Sequence, residues 1–271
     1  MNTKRKLIQI CLLCVVLLQE VTSEAQTIQT ICSFDSTNGA YPVAGLTLGN
    51  DGNFYGTTSQ GGSTTNGTIF KVTPNGTLTT LVSFNGTNGI SPQTFLTKGY
   101  DGNFYGTTSA GGLNSTVTGT FFQITPNGTL TTLGYFGNYP QIFLPSGLTL
   151  CNDGNFYGTS YGDGDNKAGS VFKVTTNGTI TILASFSGNT VLPSGLTLGN
   201  DGNFYGTTYY GGKYALGTVF QVKTNGTLTT LFSFPGQQGA CPPAAGLTLG
   251  SDSNFYGMTE GALMVLERPS R

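Results

Sequence analysis

The chain has 271 residues with 11 Lys and Arg, 12 Asp and Glu and no His, for a formal charge of −1. No basic field exists to hold a phosphate backbone, which argues against nucleic acid as a partner. Charged residues are only 8% of the chain and Gly contributes 42 positions, yet the apolar residues fall in periodic runs, which argues against disorder.

At the start, Lys4, Arg5 and Lys6 precede an apolar run from Leu7 to Leu18, and Ser23 and Ala25 stand where a cut before Gln26 requires small residues. Residues 1–25 read as a secretory signal peptide, with an uncleaved anchor as the alternative, because the run is short for a bilayer span. Cys14 could mark a lipoprotein, but Leu13 stands where a small residue is expected before it. Cleavage leaves Cys32, Cys151 and Cys241, an odd number at unrelated places in the pattern described next. Neither a disulfide framework nor a metal cluster is expected of them. The expectation is a secreted or cell-surface monomer with no membrane span after cleavage.

The mature chain opens on Thr27-Ile-Gln-Thr-Ile-Cys-Ser-Phe34, which matches Thr77-Leu-Thr-Thr-Leu-Val-Ser-Phe84 further on. Asn-Phe-Tyr-Gly then occurs five times, at Asn53, Asn103, Asn155, Asn203 and Asn254, with spacings of 50, 52, 48 and 51 residues. Each copy belongs to a unit of four short runs rich in Thr, Val, Ile, Phe and Tyr, which suit a pleated surface. Asp-Gly and Asn-Gly pairs, as at residues 51–52 and 75–76, supply the positive φ of tight hairpins between them. In Gly67-Thr-Ile-Phe-Lys-Val, Phe70 and Val72 point one way and Ile69 the other, so both faces of the sheet are apolar. That suits a blade packed between two others.

A period near 50 residues with four strands predicts an all-β fold, a five-bladed β-propeller of four-stranded antiparallel blades. Complete blades are expected over 45–84, 95–136, 147–186 and 195–234, with an incomplete last blade over 246–267. Residues 27–34, an orphan fourth strand, are expected to complete that last blade and close the ring, burying Ile28, Ile31 and Phe34. The third strand of the last blade is irregular, but Ala262 to Leu266 can still make a strand. In the shifted frame that reads the Met264-Val265 junction as NAT GGT and so forces a Gly, the tail permits codons close to the repeat, so it is expected to be a frameshift product of a longer array, which the gene's nucleotides test.

Unit lengths separate rigid parts from free ones. The residue opening the first strand (Gly45, Phe95, Gly147, Gly195, Gly246) lies 10 residues before the motif Tyr every time. The Gly opening the third strand lies 17 before the closing Phe in all four complete units. All variation sits in the second-to-third and blade-to-blade connections, which emerge on one side of an up-and-down sheet.

Gly-Leu-Thr-Leu-Gly-Asn-Asp-Gly-Asn-Phe-Tyr-Gly-Thr-Thr, the Gly-Gly that follows, Gly-Thr-Val-Phe and Asn-Gly-Thr-Leu-Thr-Thr-Leu resemble the bacterial tandem repeat called GloVer, over residues 27–258. The resemblance implies an exported surface or extracellular protein and no particular activity. Family members often end in an exchangeable sorting anchor. This chain departs from that pattern by stopping without one, which leaves surface attachment open. The diglycine is also similar to that of kelch repeats, but no Trp occurs here.

Candidate chemistry is sparse. Asp51, Asp101, Asp153, Asp201 and Asp252 recur in the tight hairpin and read as turn formers. Asp35, Asp163, Asp165, Glu260 and Glu267 remain, too few without His for an evident nucleophile-base or paired-carboxylate site. Asn-Gly-Thr at Asn66, Asn75, Asn85, Asn127, Asn177 and Asn225 reads as turn chemistry rather than glycosylation. The Gly-Gly pairs at 61, 111 and 211 read as backbone bends rather than a phosphate cradle. The loop Tyr161-Gly-Asp163-Gly-Asp165-Asn166-Lys167 could bind calcium, although the closing Glu of a calcium loop is missing, and no other cofactor is expected. Tyr209, Tyr210 and Tyr214 cluster on the same expected face, with Tyr41 and Tyr139 in the interblade loops. Aromatic rings on a weakly charged concave surface suit sugar stacking or a protein partner, or else packing between blades. The leading expectation is a secreted, non-catalytic scaffold binding a glycan or protein through Tyr161, Asp163, Asp165, Tyr209, Tyr210 and Tyr214. A polysaccharide lyase or hydrolase and a purely structural matrix protein are the alternatives.

Overall fold

The computed structural model describes residues 28–112, 119–136, 143–161, 168–187, 191–235, 246–259 and 263–267. Contacts divide the chain between Ile31 and Cys32. Residues 28–31 have no regular structure, with Ile28 fully exposed and Ile31 half exposed. The rest holds strands and no α-helix among the described residues.

Five antiparallel sheets follow in chain order, and in each the strands pair consecutively, except for one extra strand of the third that pairs out of order. The first contains β1 (Thr47–Leu48), β2 (Phe54–Thr58), β3 (Thr68–Val72) and β4 (Leu78–Ser83). The second contains β5 (Thr97–Lys98), β6 (Phe104–Thr107), β7 (Thr120–Ile124) and β8 (Leu130–Tyr135). The third adds a short extra strand, β9 (Phe143–Pro145), to β10 (Thr149–Leu150), β11 (Phe156–Tyr161), β12 (Ser170–Val174) and β13 (Ile180–Ser185). The fourth contains β14 (Thr197–Leu198), β15 (Phe204–Thr208), β16 (Thr218–Val222) and β17 (Leu228–Ser233). The last has three strands, β18 (Thr248–Leu249), β19 (Phe255–Met258) and β20 (Leu263–Leu266).

Each letter of Asn-Phe-Tyr-Gly has a separate task. The Asn53 amide N–H donates to the Asp51 carboxylate at 3.2 Å, which closes the first hairpin. The Tyr55 ring lies over Phe104 of the next unit with centroids 4.2 Å apart, and the same contact joins Tyr105 to Phe156, Tyr157 to Phe204 and Tyr205 to Phe255. Each pair contributes about 0.5–1.5 kcal/mol beyond its buried area. Gly56 is required by its own sheet: a Cβ there would stand 2.6 Å from the ring of Phe70. The four-letter motif thus faces the previous sheet, the next sheet and its own third strand.

A second set of contacts runs along the fourth strands. In each complete unit the register slips between the third and fourth strands, as at Ile69 and Phe70, so that Leu81, Leu133, Leu183 and Leu231 occupy a bulge. The hairpin glycine of the following unit docks there: a Cβ on Gly178 would lie 2.0 Å from the Leu133 carbonyl oxygen and one on Gly226 2.5 Å from that of Leu183. A third set joins the inner strands. Thr47 Oγ1 donates to the Leu96 carbonyl, Thr97 to Leu148, Thr149 to Leu196 and Thr197 to Leu247.

Among the described residues, the ring contact and the inner-strand bond are both missing between the last sheet and the first. Among the described residues no bond joins Thr248 to Leu46 and no ring pair joins Tyr256 to Phe54, and Leu46 and Leu48 are left more than half exposed. The expected closing strand is corrected here: residues 28–34 form no strand and Ile28 and Ile31 are not buried. The fourth strands of complete units are aligned by a tight hairpin. Residues 28–34 have no such hairpin, and pairing them with β20 means closing a loop of more than 200 residues. Phe34 alone keeps its repeat contact, half-buried with its ring 5.0 Å from Phe70, as Phe84 meets Phe122 and Phe136 meets Phe172.

Candidate binding site

The recurrent aspartates belong to the frame. Asp101 accepts from the Tyr105 hydroxyl at 2.8 Å, from Asn103 and from Gln123 Nε2 at 3.1 Å. Burial opposes its ionisation, but the Tyr105 and Asn103 donors outweigh that and hold the carboxyl below its usual range. Asp153 is held lower still: burial again opposes, and Asn155, Tyr157 and Lys173, the last at 3.2 Å, prevail. Asp51, Asp201 and Asp252 accept the same hydroxyl from Tyr55, Tyr205 and Tyr256. A recess of about 390 Å³ between the second and third sheets is lined by Asp101 and Asp153, but both carboxylates are already engaged by these donors. Reading the five residues as turn formers captured the backbone half of their role. The tyrosine half was missed, although Asp-x-x-x-Tyr recurs at a fixed spacing of four.

A larger cavity of about 680 Å³ is lined by all five sheets. Its wall consists of the residues that open the first strands, among them Gly45, Phe95, Gly147, Gly195 and Gly246, together with Thr107, Ser109 and Tyr161 at the ends of second strands. Both positions adjoin the variable connections, so the cavity lies on the side of the sheets where length varies. Among the described residues its lining contains no carboxylate, ammonium or guanidinium group. Three of its hydroxyls are engaged by neighbouring groups: Ser109 Oγ with the Ser91 carbonyl at 2.9 Å, Thr197 Oγ1 with that of Leu247, and Ser146 Oγ with Thr159 Oγ1 at 2.9 Å. Their remaining lone pairs accept hydrogen bonds, and the peptides at the glycines carry both N–H donors and C=O acceptors, so the wall is polar but uncharged.

Two rings stand in it. Burial pushes the Tyr161 hydroxyl above its usual pKa. Phe95 is 47% exposed, unlike the fully buried Phe104, Phe121 and Phe122 of its own sheet. Its ring covers the next sheet's glycine: a Cβ on Gly147 would lie 2.9 Å from Phe95 Cε1. Phe95 was not among the expected site residues. The signal was present in the sequence, since four of the five units have Gly at that position and one has Phe.

Of the expected site residues, four tyrosines are described. Tyr161 lines the cavity and Tyr209, Tyr210 and Tyr214 do not. Tyr209 and Tyr210 pack edge to face with centroids 4.6 Å apart, and Lys213 Nζ lies 5.1 Å over the Tyr214 ring. Asp163, Asp165 and Tyr139 lie outside the described residues. Among those described, no group of three or more His, Cys, Asp or Glu is placed to hold a metal.

A family model described as the Gloeobacter/Verrucomicrobia repeat matches residues 17–143 and again 115–264. No curated protein sequence matches the chain. Among solved structures, the chain is similar to virginiamycin B lyase from Staphylococcus aureus, with a TM-score of 0.56 at 18% identity over 87% of this chain and 72% of that one. It is similar to a gluconolactonase from Xanthomonas campestris, with a TM-score of 0.54 at 15% identity over 82% and 70%. The extracellular domain of a one-component system of B. thetaiotaomicron gives 0.59 at 13% identity, over 90% of this chain and 29% of that one. At these identities the likeness establishes the fold alone: an all-β, β-propeller-like arrangement of sheets.

Proposed function

The chain belongs to the Gloeobacter/Verrucomicrobia repeat family, and from that premise we propose that it is an exported, non-catalytic binding protein whose five-sheet cavity takes an uncharged, hydroxyl-rich ligand, a glycan. The observation that carries the reading is the lining of that cavity: Phe95 and Tyr161 beside uncharged hydroxyl and peptide groups, with no charged side chain in its described lining. Its volume of about 680 Å³ is within the span of small-molecule sites, roughly 300–1,000 Å³. Acyl or glycosyl transfer needs a positioned acid and base. The chain has no His, and the five hairpin aspartates are engaged by their tyrosines.

The competing class is an extracellular enzyme, since two similar structures are named as a lyase and a lactonase. A glycan array with protein recovered from the culture medium, beside turnover assays on polysaccharides, separates the two. Binding without turnover is the expected result; turnover favours the enzyme, and silence in both removes both readings. Amino-terminal sequencing of the same protein is expected to start at Gln26.

A further inference from the structure

The cavity is built from five copies of one strand opening, and its symmetry is broken at one place. Gly45, Gly147, Gly195 and Gly246 occupy the position in four units and Phe95 in the fifth. The fold does not need a ring there, because the sister units keep the same first-strand register with Gly: Thr47 faces Tyr55 and Thr197 faces Tyr205, as Thr97 faces Tyr105. The ring is accommodated because the next unit offers a glycine beneath it, where any Cβ would collide. A Cβ added to Gly45 or Gly195 would meet nothing within 4 Å, so those two openings face open space.

Resting on the cavity reading above, we propose that Phe95 is the stacking platform of a one-sided sugar site, and that its ligand unit is a neutral hexopyranose. The C–H face of the sugar lies on the Phe95 ring, on the side where Pro145 and Tyr161 also line the wall, and its hydroxyls turn toward the peptides at Gly195 and Gly246. An aromatic face takes an apolar C–H surface without any charge, and uncharged peptide groups both donate to and accept from the hydroxyls of a polyol. A quaternary ammonium could also lie on the ring. The described lining offers it no carboxylate, which is why the sugar is the better fit.

The test uses the mature protein on arrayed neutral hexopyranose oligosaccharides, with calorimetry on any binder and choline chloride as a second probe. Phe95→Gly restores the residue of the sister units and keeps the fold. It is expected to weaken sugar binding at least about tenfold, with an unchanged melting temperature, while Phe95→Trp retains binding. Gly195→Phe fills the open side and is expected to abolish it. If Phe95→Gly binds like the parent while Gly195→Phe does not bind, the platform is overturned and the cavity reading survives. If neither substitution matters, or the parent protein binds none of the sugars, both fall. Choline binding with silence toward sugars overturns the ligand class.

Discussion

At Tyr105 one side chain meets three partners: its ring lies over Phe156 of the next sheet, its hydroxyl donates to Asp101 at 2.8 Å, and it accepts from Gln123 at 2.7 Å. Burial first, and Asp101 second, push its pKa up to about 12. The signs give a stability window. The Asp51, Asp101, Asp153 and Asp252 carboxyls are held below their usual range, so their contribution is present above about pH 4 and fades as pH falls through the lowered values. The tyrosines are raised, so theirs is complete below about pH 10 and is lost as pH climbs past it. Tyr105→Phe keeps the ring contact and removes the donor. It is expected to cost about 1 kcal/mol in urea unfolding near neutral pH and to flatten both limbs of the melting temperature against pH. An acid limb as steep as the parent's would show that the hydroxyl does not stabilise the carboxylate.

Among the elements, the third-to-fourth hairpin couples one unit to the bulge of the previous one. Gly178 has φ of +89° and its Cα lies so close to Leu133 that no side chain fits. Gly178→Ala is therefore expected to destabilise by more than about 2 kcal/mol, through a left-handed backbone and a collision with a carbonyl. Gly154, at +78° in a hairpin with nothing near its Cβ, is the control in which Ala meets the backbone penalty alone. Paired chemical denaturation of the two variants reads the difference, and equal losses would show that the docking against Leu133 contributes nothing. How much of this was legible follows from scale. The fixed 10- and 17-residue distances announced a rigid unit, and the Asp-Gly and Asn-Gly pairs announced its turns. Contacts across units were not legible, because a single copy does not say which neighbour its Tyr or its hairpin Gly will touch. Phe95 was hidden for the opposite reason: a repeat is defined by the positions at which its copies agree, and Phe95 stands where they differ. Tyr161 and Tyr209 hold the same repeat position, yet only Tyr161 reaches the cavity, since Tyr209 packs against Tyr210.

Across the whole molecule, the units are stabilised by neighbours, and the fourth sheet shows what happens where the neighbour is short. Leu81, Leu133 and Leu183 are partly covered, whereas Leu231 is 41% exposed and Phe232 beside it 48%. Phe232→Thr, which loses an edge-to-face contact with Phe234, is expected to cost about 1 kcal/mol, whereas Phe220→Thr, at a buried ring in the same sheet, costs about 3 kcal/mol or more. Comparable losses in thermal melts would mean that Phe232 is covered in solution. The interlocking of Tyr with the following Phe has a consequence for how such a gene can grow. Both halves of the joint sit on adjacent letters of one motif, Phe104 facing back and Tyr105 facing forward. A copied unit therefore arrives already complementary to whatever copy stands on either side. Unequal recombination can lengthen or shorten the array in frame without inventing a new interface, and the inner-strand position that Phe95 occupies stays free to diverge.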